Sequence, residues 1–153
     1  MGQLQKYKDD FTLLLEGGFI AASHADEDSA LKLFKASQLL KPENTLPKIG
    51  FGYIHLLKLE LKQACHTFED ILKKDPSNEM CRAMLGLSQA LTIKEVDKGE
   101  KLLLEALKNS DDKSVKSMAS TAIEFIEKFV KKSPSPALGA PAVDNKKKKK
   151  GKS

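Results

Sequence analysis

The sequence predicts an all-α fold, a solenoid built from helix hairpins, and three observations predict it. First, residues of one kind recur at a step of 34: Gly18, Gly52 and Gly86, then Ala30 and Ala64, Phe34 and Phe68, Pro42 and Pro76. Second, Leu, Lys, Ala and Glu dominate a chain with only 9 Gly and 6 Pro, which favours helix. Third, apolar residues recur at three and four. The clearest run is Val115, Met118, Ala119, Ala122, Ile123, Ile126 and Val130, widened by Phe125 and Phe129. A period of this length is one helix–turn–helix unit, which buries its apolar face only by stacking on its neighbours.

The elements follow in order. The first hairpin pairs a helix over about Gln3–Ala22 with one over about Glu27–Leu40. The second pairs about Pro47–Leu59 with Leu61–Lys74. Lys41-Pro42 and Asp75-Pro76 stop the second helix of each pair, because the residue before Pro is pushed out of the α region. The third hairpin covers about Asn78–Thr92 and Asp97–Asn109. There a step of 34 sets Lys98 against Ala64, a poor packing residue. A step of 35 sets Gly99 there, Leu103 on Phe68 and Leu107 on Leu72. One extra residue is therefore expected in the turn around Lys94–Asp97. Asp111-Asp112 offers a cap for a last helix, about Lys113–Lys132, whose apolar stripe would cover the open end of the stack.

These positions resemble the tetratricopeptide repeat, with its pattern W-x2-L-G-x2-Y…A-x3-F…P. The second unit fits best: Phe51-Gly52 at the Leu-Gly step, His55 at the Tyr, then Ala64, Phe68 and Pro76. The first offers Gly17-Gly18, Ala30, Phe34 and Pro42; the third opens with Leu85-Gly86. The repeat Trp is missing, since the chain has none. The resemblance implies three tetratricopeptide-like repeats plus a C-terminal capping helix.

Charge divides the chain. Residues 133–153 hold six lysines against Asp144, a net +5; the whole chain is also +5, so residues 1–132 are formally neutral. We read 1–132 as the helical domain and 133–153 as a disordered Pro/Ser/Ala and Lys-rich tail, too poor in apolar residues to offset its ordering entropy. The run Lys146–Lys150 suits a solubilising tail, or contact with nucleic acid or an anionic membrane. No aromatics interleave for base stacking. No apolar run reaches the ~18 residues of a membrane span, and the N-terminus lacks a signal-peptide core. Cys65 and Cys81 fall inside predicted helices and read as small buried hydrophobes. His24, His55 and His66 lack metal-ligand spacing, and Gly17-Gly18 lacks the context of a phosphate loop. No enzyme and no cofactor is expected.

A binding surface is expected on the first helix of each pair, the concave wall of such repeats. With each recurring Gly as position 8, positions 2, 5, 9 and 12 are Thr12, Leu15, Phe19 and Ala22. In the second unit they are Leu46, Ile49, Tyr53 and Leu56, and in the third Met80, Ala83, Leu87 and Ala90. A continuous apolar groove marks a site for another protein, and an amphipathic helix is its natural ligand. The candidate groove residues are Leu15, Phe19, Leu46, Ile49, Tyr53, Leu56, Met80, Ala83 and Leu87. Met80 and Met84 suit an imperfect partner surface.

Some tetratricopeptide proteins grip a peptide's terminal carboxylate with Lys and Asn in the first repeat and Lys and Arg in the third. Here Leu15, Phe19, Met80 and Met84 stand in those places. The chain instead resembles the small tetratricopeptide chaperones of bacterial type III secretion, in particular those of the needle subunit. The carrying segments are 17–24 (GGFIAASH), 30–34 (ALKLF), 39–44 (LLKPEN), 47–52 (PKIGFG) and 79–90, within about residues 10–110. The lysine tail and the irregular third repeat depart from that pattern. The resemblance implies a cytoplasmic bacterial protein that shields the C-terminal helix of the needle protein from premature polymerisation. It also implies a second small helical co-chaperone in a 1:1:1 complex and no small-molecule substrate. A general repeat scaffold, or a class II type chaperone of translocators, stays open beside it.

Overall fold

The computed structural model describes residues 10–132, and among them every regular element is helical. The expected disordered tail, and the start of the first helix at residues 3–9, lie outside the described residues. Seven α-helices follow one another: α1 Phe11–Ser23, α2 Glu27–Leu40, α3 Leu46–Leu57, α4 Leu61–Lys74, α5 Glu79–Ala90, α6 Val96–Asn109 and α7 Lys113–Phe125. Hairpins α1–α2, α3–α4 and α5–α6 each pack internally and then against the next. The odd helices also touch in sequence, α1 on α3, α3 on α5, α5 on α7.

The 34-residue step is written into the packing. An added Cβ on Gly18 would sit 2.6 Å from the Phe34 ring, and one on Gly52 would sit 2.5 Å from the Phe68 ring. Gly50 of α3 closes on the same Phe34 ring, again at 2.6 Å. Each Phe is fully buried because the facing helix leaves it a slot with no side chain in the way. In the third hairpin Leu103 takes the Phe place, fully buried beside Gly86, and Gly99 takes the Ala place. The amides of Ala30, Ala64 and Gly99 bond back to the carbonyls of Asp26, Glu60 and Glu95 at 3.0, 3.0 and 2.9 Å. The shift from 34 to 35 is thus structural.

The extra residue lies earlier than the sequence suggests. The hairpin turns carry left-handed residues at Ala25 (φ 61°), Leu59 (φ 56°) and Lys94 (φ 82°), at steps of 34 and then 35. Gly86 keeps the step of 34, so the insertion falls between Gly86 and Lys94, not around Lys94–Asp97. Helix α5 absorbs it by ending at Ala90 rather than Thr92, and residues 91–95 replace the three-residue turns 24–26 and 58–60.

Helix ends follow local chemistry. Lys41 and Asp75, each before Pro, have nearly the same backbone (φ −136°, ψ 78° and φ −134°, ψ 75°) and end α2 and α4. The side chains of Asp26, Asn78 and Asp112 cap α2, α5 and α7. The last helix does not stay α-helical to Lys132, as its apolar spacing predicts. It is α-helical to Phe125 and then widens into a π-helical turn, Ile126–Val130. After that turn Lys131 pairs with Glu100 of α6, with Asp97 and Glu127 nearby. Three apolar clusters form the core, centred on Phe34, on Ile49 with Phe68, and on Leu103 with Ile126.

Candidate partner-binding wall

The odd helices form one wall, and burial sorts the nine candidate groove residues into two sets. Leu15, Ile49, Leu56 and Ala83 are 7, 1, 7 and 0 % exposed. They are core, which corrects the expectation that they face a groove. The cause is that successive odd helices touch, so the residue pointing along the row is sealed in the seam. Leu15 shares its cluster with Ile54 of α3, Ile49 and Leu56 share theirs with Leu85 of α5, and Ala83 shares its own with Ala119 of α7. Ala22 and Ala90 are buried as well.

Phe19, Leu46, Tyr53, Met80 and Leu87 keep accessible surface. Phe19 meets Tyr53 across the α1–α3 seam with ring centroids 5.6 Å apart, and it makes a T-shaped pair with the buried Phe34 at a centroid distance of 5.0 Å. This tilted geometry suits ring quadrupoles and holds the two aromatics as a fixed ledge. Met80 and Leu87 rest on the third cluster, and Met84 and Leu87 also rest on the second. Leu46 stands at the start of α3, where the Asn44 carboxamide accepts its amide at 2.9 Å.

Beyond Leu87 the wall continues where the sequence predicts only a cap. A cavity of about 750 Å³ opens between α5 and α7, lined by Leu87, Met118, Ala122 and Phe125 on its apolar side and by Lys113, Ser114, Ser117 and Thr121 on its polar side. Val115, Ala119, Ala122 and Ile126 are buried, so α7 does cover the third hairpin. The same helix also presents Met118, Thr121 and Phe125 to the cavity. The signal that finds them is the repeat itself, since Met84, Leu87 and Leu91 advanced by 34 give Met118, Thr121 and Phe125.

Several other polar groups pair within and between the hairpins. His55 Nδ1 lies 2.5 Å from the Glu60 carboxylate, and Lys58 reaches both Glu60 (3.0 Å) and Glu27 of the first hairpin (3.1 Å). Hydrogen bonds from His55 and then Lys58 hold the Glu60 carboxyl below its ordinary range. His66 pairs with Asp70 at 3.3 Å, and His24 Nδ1 bonds the Ile20 carbonyl at 2.9 Å. Cys81 is buried with its thiol donating to the Phe68 carbonyl at 3.3 Å, and burial pushes that thiol up to about 12. Both cysteines are free thiols. No helix among the described residues is long and apolar enough to cross a membrane. Comparison with protein-family models, with curated proteins and with solved structures gives no match.

Proposed function

We propose that the chain is a tetratricopeptide-like solenoid that binds an amphipathic helix of a partner protein along its odd-helix wall, without catalysis. The observation that carries this is the half-open apolar row Phe19–Tyr53–Leu87, running into the cavity between α5 and α7. Aromatic and thioether side chains that are supported from behind yet open in front suit a helix laid into a groove. The backbone recurrence at Ala25, Leu59 and Lys94 supports the repeat reading.

The sequence resemblance makes the partner the C-terminal helix of a type III secretion needle protein. The chain is then a cytoplasmic chaperone that keeps this self-assembling helix covered, with a second small helical chaperone in the complex. A helix burying roughly 600–1,000 Å² on each side falls within the range of stable interfaces. The test is titration of a fluorescent peptide carrying that helix into the full chain. Tyr53→Ala is expected to weaken binding by about 2 kcal/mol, as a central hot spot would. Affinity unchanged in both Phe19→Ala and Tyr53→Ala sinks the proposal.

A further inference from the structure

We propose that the binding wall has a fourth helix: α7 is part of the groove, and one partner helix lies across α1, α3, α5 and α7. This rests on the groove reading above and sets the length of the segment recognised.

Three observations converge on α7. The repeat register continues into it, because Asp112 stands 34 residues after Asn78 and both side chains cap their helices. Helix α7 touches α5, and the cavity between them shares Leu87 with the row already described. A helix that serves only to end a stack has a polar outer face. Here Phe125 and Phe129 are 45 and 58 % exposed with ring centroids 5.2 Å apart.

The occupant is the continuing end of the same amphipathic helix. Helices pack about 8–10 Å apart, so three odd helices span roughly 18 Å and four roughly 27 Å. At a rise of 1.5 Å per residue these correspond to about 12 and about 18–20 residues of partner. The lining divides by chemistry: Leu87, Met118 and Phe125 take an apolar anchor, while Ser117, Thr121 and Lys113 face its polar flank. The turns of the partner that meet α7 are therefore amphipathic too, with hydrogen-bonding or acidic side chains on the flank turned to α7.

The probe is the C-terminal helix of the needle protein, made as a 20-residue peptide and as its two 12-residue ends, titrated into the full chain. The 20-mer is expected to bind at least tenfold tighter than either 12-mer. Thr121→Asp and Phe125→Ala, both at exposed positions, are expected to weaken the 20-mer at least tenfold while helical circular dichroism and melting temperature hold. One 12-mer is expected to be indifferent to them. A 12-mer as tight as the 20-mer, with both α7 variants silent and Tyr53→Ala still weakening, overturns the fourth helix and leaves the groove reading standing. No binding by any peptide, or binding indifferent to Tyr53→Ala, overturns both.

Discussion

At the scale of single residues, this fold turns a common expectation about glycine around. In an exposed helix interior, Gly→Ala stabilises by about 1 kcal/mol. Here a methyl group on Gly52 meets the Phe68 ring at 2.5 Å, and one on Gly99 meets the backbone of Ala90 and Gly86, which cannot rotate away. Gly52→Ala is expected to destabilise by about 1–3 kcal/mol and Gly99→Ala by more, read from urea unfolding. A stabilising Gly99→Ala would mean that α5 and α6 do not cross as described. Gln89 offers the opposite case. It is 2 % exposed, and its carbonyl oxygen has no hydrogen-bond partner among the described residues. An unmet buried acceptor costs about 1–3 kcal/mol. Gln89→Met is therefore expected to raise the urea midpoint, and a lower midpoint would show that the amide is satisfied. The buried thiol of Cys81 is expected to resist alkylation at pH 8 in the folded protein, whereas half-buried Cys65 reacts slowly, as mass spectrometry would read.

At the scale of elements, the hairpins and their stops are legible in the sequence because each rests on a local rule: Pro42 and Pro76 after the second helices, Gly facing Phe within a pair, Asp112 as a cap. Two things are not. An apolar residue on the inner helix faces either an open groove or the seam with the next inner helix, and the pattern of one helix does not distinguish them. Spacing therefore places Ile49 and Ala83 on an open face although they are core, whereas Phe19 and Tyr53, placed by the same spacing, keep accessible surface. The wider role of α7 is hidden for a related reason. Its buried stripe accounts for the apolar periodicity, and the neighbouring face with Met118 and Phe125 merges into that stripe. The π-helical turn leaves no signal in the apolar spacing. Its exit is tied down by Lys131 against Glu100, Asp97 and Glu127. Lys131→Ala is expected to speed amide exchange across residues 123–131 and leave α1–α4 unchanged. Equal protection in the variant would mean that apolar packing of Ile126 alone holds this turn.

At the scale of the whole molecule, stability is set by neighbours and by charge. The carboxyls of Asp26, Glu60 and Asp70 lie below their ordinary values of 3.8, 4.5 and 3.8, held there by hydrogen bonds from Ser29, His55 and Lys73. Groups with depressed folded values contribute stability that is present above the ordinary value and lost as pH falls through the folded one. Cys81 acts with the opposite sense: its folded value of about 12 exceeds the ordinary 9, so its contribution is whole below pH 9 and lost toward pH 12. The melting temperature is thus expected to be flat near neutrality, to fall below about pH 4 and to fall again above pH 9. Replacing Cys81 with Ala should remove part of the alkaline fall, and an unchanged alkaline limb would show that other groups govern it. The same neighbour-only packing limits how far damage spreads. Each hairpin packs mainly on the next, so stability is close to a sum of units and their interfaces. Gly18→Ala, which drives a methyl into the Phe34 slot, is expected to raise amide exchange in α1 and α2 strongly and in α3 less. Helices α6 and α7 should keep wild-type protection. Uniform loss of protection over all seven helices would instead require a single cooperative unit.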